Sequence, residues 1–376
     1  MKIAIDGTII REEITGTGFY ITNLINGLIK IDNLNNYYIF GDEQYLRKYI
    51  KIDKDNFKVV YKRFKNRIIR VLWEYFIFPF ELKKLKIDIL HSPNYITPLL
   101  KFGFKIILTI HDLTFLLFPE KYTITKRWLF GKMIPISIKK ADKIVADSKN
   151  TKKDILKFFS IPDDKILVTY PSYPEYYNHS IDRSKAKDIV NKYGIERDYI
   201  LYVGMIEPRK NIISLLKAFV EIDKDLELDL VIVGKKGWYF KEIEQYMEST
   251  VNLRLKNKII FTGYIPEHKL KYFYKLALMF TYPALYEGFG LPPLQAMACG
   301  TPVITSNITS LPEVVGDAAI KIDPYDLGEL KNSIKCLYEN EEKRDKLIKK
   351  GLENVKKFSL ENVALNVLSV YNSLNF

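Results

Sequence analysis

Thirteen short runs rich in isoleucine, valine and leucine recur along this chain, and stretches with helical apolar spacing lie between most of them. In the first half the runs are KIAID, YYIFG, FKVVY, IDILH, FKIILTI, DKIVA and KILVTY. In the second they are YILYVG, LDLVIVG, KIIFTG, ALMFTYP, PVITS and AIKID. Near-continuous apolar runs suit strands buried on both faces, a property of parallel sheets. Parallel strands need a crossover, usually a helix, and the intervening stretches supply it. The pattern predicts an α/β chain built as two doubly wound parallel sheets. In the second half it predicts helices at about 210–220, 238–250, 267–277, 292–299 and 326–340. EEKRDKLIKKGLENVKKF and SLENVALNVLSVYNSL supply two more at the end.

The polar, aromatic and proline-marked stretch PSYPEYYNHSIDRSKA separates the halves and reads as a linker. A chain of 376 residues has room for two domains of ordinary size, with expected bounds of 1–180 and 181–359. Hydrophobic residues make up 47%, enough for two sizeable cores. No apolar run reaches the length of a membrane span; the nearest, IILTIHDLTFLLF, is broken by His111 and Asp112. The opening MKIAID reads as a strand, with Asp6 where a secretory leader would be apolar. Cys299 and Cys336 lie in helical patterns, which argues against a disulfide framework or metal cluster and fits a reducing cytoplasmic setting. The four histidines show no ligand spacing. DKD triplets at 53–55 and 223–225 are of a type that can hold a metal–nucleotide complex. Both fall in polar connectors away from the strand ends, so neither a metal nor another cofactor is expected.

The net charge of +13 is unevenly spread, with +11 on residues 1–180 and +2 on residues 181–376. A lysine-rich composition explains the total but not the asymmetry. A basic first half favours an anionic partner such as a lipid surface or a lipid diphosphate. No nucleic-acid motif is present, so nucleic acid is not expected as a partner. The segment 62–86 is basic at both ends. Ile68, Ile69, Leu72, Trp73 and Phe76 share one helical face, with Arg63, Arg67 and Arg70 mostly off it. That face suits a helix lying in a membrane interface, or equally one packed on the first sheet.

Chemistry-bearing residues gather where strands end. The stretch from Tyr282 to Gly316 turns through Glu287-Gly288-Phe289-Gly290-Leu291 and opens a helix at Pro292-Pro293. Proline is favoured there because its missing N–H would have no partner. The N–H groups of Phe289, Gly290 and Leu291 then face a site suited to a phosphate. Glu287 lies beside it as an acceptor for sugar hydroxyls. LYVGMIEPRKN ends a strand at Gly204 and starts a helix near Asn211, with Arg209 and Lys210 at its head. Two cations there oppose the helix dipole unless an anion balances them. The pair therefore reads as a diphosphate clamp that neutralises a leaving group, with Glu207 orienting Arg209. GTGFY opens a helix after the first strand, where Gly16, Thr17 and Gly18 either contact a diphosphate or form a simple tight turn. His111 and Asp112 end a strand of the first sheet, where ligands of such sheets bind. VGKKGWY (Gly234, Gly237, Trp238) and TGYIP (Gly263, Tyr264, Ile265) also end strands, and would need turns for that reason alone.

With HSPNYITP, TIHDLTFLLFPE, VADSKNTKKDI and IIFTGYIPEHKLKYFYKLA, these motifs follow one order over nearly the whole chain. The sequence resembles the retaining, nucleotide-sugar-dependent glycosyltransferases of family four. Within them it is similar to bacterial surface-polysaccharide mannosyl- and rhamnosyltransferases. The resemblance implies a GT-B fold, two Rossmann-like domains facing a central cleft, with the last helix, 360–376, crossing back to the first domain. The nucleotide-sugar donor would bind mainly to the second domain and a sugar acceptor to the first. Transfer would retain anomeric configuration without a metal. The resemblance implies catalytic roles for Glu287, His111, Arg209 and Lys210, with His111 near the donor sugar. It implies donor contacts from Gly16, Thr17, Gly18, Gly204, Phe289, Gly290 and Leu291, and a nucleobase slot at Gly263, Tyr264 and Ile265. Two positions depart from the family pattern. Gln295 stands where a second glutamate faces the ribose hydroxyls, and Met205 where many relatives carry arginine. GDP-mannose is the leading donor expected, with UDP-sugars next, a lipid-linked or polysaccharide acceptor and peripheral attachment to the inner face of the cell membrane. A synthase acting on a soluble sugar or glucan is one alternative. A catalytically silent nucleotide-sugar-binding subunit is another.

Overall fold

The computed structural model describes residues 1–14, 16–119, 124–237, 240–251 and 253–374; Trp238 of the VGKKGWY motif lies outside them. The chain divides into two compact units, Met1–Pro174 with Phe358–Phe376, and Glu175–Lys357.

The first unit is built on seven strands: β1 (Lys2–Asp6), β2 (Asn36–Gly41), β3 (Phe57–Tyr61), β4 (Ile89–Ser92), β5 (Lys105–Ile110), β6 (Lys143–Ala146) and β7 (Ile166–Val168). All pairs are parallel, in the order β3-β2-β1-β4-β5-β6-β7. The order reverses between β1 and β4, the switch point at which ligands of such sheets bind. Side chains alternate across the sheet. Ile3 and Ile5 pack with Ile21, Leu24 and Leu28 of the helix Gly16–Ile31, and with Val367, Val370 and Tyr371 of the helix Leu360–Asn372. Ala4, Leu90 and Leu108 join Trp73, Phe78 and Ile138 in a second cluster. The two helices approach so closely that a Cβ on Gly27 would stand 2.4 Å from the Leu360 carbonyl oxygen.

The second unit holds β8 (Tyr199–Val203), β9 (Asp229–Val233), β10 (Ile259–Gly263), β11 (Met279–Tyr282), β12 (Val303–Ser306) and β13 (Ala319–Ile322). They too are parallel, in the order β10-β9-β8-β11-β12-β13, with the switch point between β8 and β11. Each of the thirteen apolar runs overlaps one of these strands. The helix expected near 210 begins at Ile212, because Pro208–Lys210 forms a 3-10 turn and Asn211 takes a left-handed φ of 55°.

Three local expectations change. The unit boundary falls at Pro174, earlier than 180, because Tyr177 is buried in the second unit and donates to Glu267 at 2.6 Å. The end of the linker stretch is already helical, Arg183–Val190, capped by Asp182. The shared face in 62–86 is the third. A π-turn over Trp73–Ile77 shifts the helical phase, so Trp73 is buried and stacks on Phe78 at 4.4 Å. Ile68, Ile69, Leu72 and Phe76 stay exposed and are joined by Ile77 and Phe80. Arg70 is buried against Glu74 at 2.9 Å, Arg63 pairs with Asp42 at 3.3 Å, and Arg67 lies over the Phe130 ring. The segment thus packs on the sheet with one side and presents an apolar row on the other.

Asp223 of the second DKD triplet is buried between Arg254 and Lys258, so its charge serves packing. Among the described residues no group of side chains could hold a metal ion, and no helix is long and apolar enough to cross a membrane.

Gly27→Ala tests the helix contact. A helix interior favours alanine over glycine by about 1 kcal/mol, but overpacking costs about 1–3 kcal/mol. We expect the substitution to lower the urea midpoint of the first unit; a raised midpoint would show that the helices separate readily.

Candidate active site

The switch point of the second sheet brings two loops together. The loop after β8 carries Glu207, Arg209 and Lys210, and the loop after β11 carries Glu287. These strands are adjacent only because the strand order reverses there. The backbone joins the loops directly, with Leu285 N–H donating to the Arg209 carbonyl at 2.7 Å. Ser310 Oγ donates to the carbonyls of Glu287 and Phe289 at 2.9 and 2.6 Å and fixes the turn.

Glu287 is buried, and three donors converge on its Oε1: the Lys210 ammonium, the Tyr282 hydroxyl at 2.8 Å and the Arg209 guanidinium at 3.3 Å. Lys210 also donates to Tyr282 at 2.7 Å, and Arg209 pairs with Glu207 at 2.6 Å. Burial by itself would raise the pKa of Glu287. Lys210 and Arg209 outweigh it and hold the carboxyl down at about 2. Glu287 is therefore an anion at neutral pH. Its contribution to stability is present above 4.5 and is lost as pH falls towards about 2. Burial holds the Lys210 ammonium below its usual value, and Glu287 pulls it back only in part. Sequence reasoning found Glu287, Arg209 and Lys210 but passed over Tyr282. The signal was available, since Tyr282 is a hydroxyl at the C-terminal end of an otherwise apolar strand.

Gly290 caps the helix Leu291–Ala298 at a φ of 116°, and a Cβ there would stand 2.8 Å from Leu311. Phe289 is buried beside it. Along the same sheet edge, Gly204 follows β8 and Gly263 ends β10. Tyr264 is half exposed with the Lys235 ammonium 4.3 Å from its ring centre, whereas Ile265 is buried. A side chain on Gly234 would collide with the Gly204 carbonyl oxygen at 1.9 Å, so the β8 and β9 turns touch through backbone. Met205 is half exposed at the end of β8 and leaves Arg209 and Lys210 as the cations beside Glu287.

Gln295 is committed elsewhere. Its Nε2 donates to Glu267 at 3.1 Å and its Oε1 accepts from Tyr274 at 3.2 Å. Glu267, half-buried and shared with Tyr177, has its pKa raised by its loss of water.

In the first unit, Gly16, Thr17 and Gly18 form the first turn of the helix Gly16–Ile31. A Cβ on Gly18 would press on Ile14 at 2.8 Å, whereas Gly16 stands in open space. His111 follows β5, with its ring between Asp147 at 2.7 Å and the Pro93 carbonyl at 3.0 Å. Tyr20, from the GTGFY motif, meets that ring edge-on at 5.0 Å, so the two motifs are neighbours. Asp112 instead caps the next turn through Thr114. Asp147 was not among the residues singled out, although it too is an acid ending an apolar strand.

Gln295→Glu would set a second carboxylate beside Glu267. Two buried carboxyls in contact raise one pKa, and a carboxyl raised on folding loses stability as pH rises above its unfolded value. We expect the variant to be about 1–3 kcal/mol less stable than wild type at pH near 8, from one buried polar group left unsatisfied, and to recover as pH falls. Equal urea midpoints at both pH values would show that Gln295 faces solvent instead.

Comparison with known proteins places this geometry. The description Glycosyltransferase Family 4 matches residues 14–173, and Glycosyl transferases group 1 matches residues 185–354. O-antigen chain mannosyltransferase B of Escherichia coli is 34% identical over 78% of this chain and 76% of its own length. Serotype-specific mannosyltransferase WbdA of Escherichia coli is 30% identical over 73% of this chain, which spans only about a third (34%) of that longer protein. Among solved structures, sucrose-phosphate synthase from Thermosynechococcus elongatus superposes with a TM-score of 0.75 at 20% identity, over 99% of this chain and 98% of its own. That likeness fixes the fold as GT-B. The chain belongs to the group 1, family 4 glycosyltransferases and is a glycosyltransferase of GT-B fold.

Proposed function

We propose that this protein is a retaining hexosyltransferase that moves mannose from GDP-mannose to a hydroxyl of a lipid-linked or polysaccharide acceptor, without a metal. The observation that carries the reading is the ionised Glu287 held between Arg209 and Lys210 at the switch point of the second sheet. The name of the relative with 34% identity supports mannose as the sugar. In this reading the bond from the anomeric carbon to the diphosphate breaks as the bond to the acceptor oxygen forms on the same face. A donor phosphate oxygen takes the acceptor's proton. Arg209, Lys210 and the helix N-terminus at Gly290 and Leu291 stabilise the charge that builds on the departing GDP, the work a metal does elsewhere. Glu287, ionised at neutral pH, supplies no proton. Its Oε2, which takes none of the three bonds to Oε1, accepts from a hydroxyl of the sugar, and its charge favours the developing positive centre. Tyr264 and Gly263 border the nucleobase, and Gly204 lets the backbone approach the diphosphate. Within the first unit, Gly16, Thr17, Gly18 and His111 are the residues that the family pattern assigns to the donor. Gln295, committed to Glu267 and Tyr274, supports the ribose region from behind.

The acceptor reading rests on the first unit, which carries most of the net charge and the apolar row at Ile68, Ile69, Leu72, Phe76, Ile77 and Phe80. Lys65, Lys83 and Lys84 are exposed in the same segment. An apolar row with exposed lysines suits an anionic lipid surface, where each Lys contributes about 1 kcal/mol.

Binding selectivity tests the donor. GDP and GDP-mannose should raise the melting temperature where UDP- and ADP-sugars do not, and slow cleavage of GDP-mannose should persist in excess EDTA. Arg209→Ala should weaken GDP about tenfold or more, the worth of one hydrogen bond between charged groups. Unchanged affinity would place Arg209 outside the diphosphate site, and binding with no cleavage would point to a silent subunit.

Vesicle sedimentation tests the surface. The wild-type protein should pellet with anionic vesicles at low salt, and a variant with Ile68, Leu72 and Phe76 changed to Asn should stay in solution while still binding GDP. A wild-type protein that ignores the vesicles would favour a soluble acceptor.

A further inference from the structure

Two histidines at the ends of neighbouring strands of the first sheet meet opposite kinds of partner. His91, on β4, lies between two hydroxyls, Tyr371 at 2.7 Å and Thr109 at 2.8 Å. A hydroxyl donates or accepts as required, so a neutral ring satisfies both. Burial, with the charge of His111 nearby, lowers the pKa of His91 to about 3. His111, after β5, lies between the Asp147 carboxyl and the Pro93 carbonyl. The carbonyl only accepts, so Nε2 carries a hydrogen. Nδ1 and Asp147 then share one further proton across 2.7 Å. An imidazole is a far stronger base than a carboxylate, and the ring is where that proton belongs.

The surroundings act on both partners: burial pushes the Asp147 carboxyl up, and His111 pulls it back only in part. Burial opposes a charge on His111, but Asp147, the Pro93 carbonyl and Asp112 outweigh it, and its pKa lies above the usual histidine value. Tyr20 and Tyr95 meet the ring edge-on, at 5.0 and 5.5 Å. Thr151 donates to the His111 carbonyl at 3.2 Å and anchors the backbone. Ser148 Oγ accepts from the Thr151 N–H at 2.9 Å and caps the helix Lys149–Phe158. The VADSKNT motif thus supplies Asp147 to the ring and Thr151 to the carbonyl of the same residue.

We propose that Asp147 is a positioning residue for sugar transfer: with the Pro93 carbonyl it holds His111 as an imidazolium, so that His111 acts as a fixed, doubly hydrogen-bonded cation and neither gives nor takes a proton. The part concerning transfer rests on the placing of His111 at the donor, whereas the protonation state does not.

Nitrogen-15 NMR of the full chain labelled at its four histidines reads the ring directly, with His111→Gln identifying the signals. In the wild type both ring nitrogens of His111 should carry hydrogen at neutral pH, and the ring should titrate above the usual histidine value of about 6.5. In Asp147→Asn the ring should titrate lower than in the wild type. Cleavage of GDP-mannose by the variant should then fall severalfold as pH rises through that lower titration, while wild-type cleavage is unchanged there. Asp147→Glu should restore the wild-type profile. A wild-type ring that bears one N–H, or that titrates near 6.5, overturns the proposal whatever the substrate. A cleavage profile unchanged in a folded Asp147→Asn variant whose ring titrates overturns the role in transfer. Failure of the wild type to cleave any nucleotide-sugar would count against the donor reading instead, with the NMR result still deciding the protonation state.

Discussion

One buried carboxylate organises the site of the second unit. Glu287 is short of water and would be unstable as an anion without Lys210, Arg209 and Tyr282 on its Oε1. Lys210, itself buried, is equally unstable without it, whereas Arg209 keeps Glu207 as a partner. Removing one member of such a set strands the others, at a cost of about 3–5 kcal/mol. The arrangement therefore ties the loop after β8 to the loop after β11, and it sets the charge state at which both work. Nothing local to either loop would hold it. The reversal of strand order between β8 and β11 is what makes them neighbours.

The first unit repeats the strand order but uses its switch point differently. Next to β1, Arg70 is buried against Glu74 and reaches Thr8 at 3.4 Å. Burial and the charge of Asp6 push the Glu74 carboxyl up to about 8, despite Arg70. Beside β4 and β5 the charges are a neutral histidine and a protonated one. The second unit gathers its charges on one carboxylate, whereas the first sets a neutral His91 and a Glu74 carboxyl pushed up to about 8 beside the charged His111–Asp147 pair. A group whose pKa lies far from neutral keeps its charge over the physiological range, as a diphosphate clamp requires.

Much of this was legible in the chain. The strands were visible because parallel strands buried on both faces leave runs such as ILYV and LVIV, which few other structures tolerate. Glu287, Arg209 and Lys210 were visible because glycines and prolines mark the turns that carry them. Gln295 was placed by pattern at a ribose, yet its amide is taken up by Glu267 and Tyr274, residues from a different helix. Trp73 was assigned by 3.6-residue spacing to the face of Ile69, Leu72 and Phe76, and the π-turn that begins at Trp73 breaks that count. Asp147 was overlooked because a single acid after a strand is common, and its partner lies 36 residues away.

The sequence by itself determined the architecture: which segments are strands, that the sheets are parallel, and which strand ends carry charge. These follow from local spacing and from the burial that spacing demands. Only the tertiary structure decided which side chains are charged and which are spent on one another. Protonation and pairing depend on burial and on partners within about 4 Å. Those partners come from loops far apart in the chain, and strand order, not sequence distance, sets who they are.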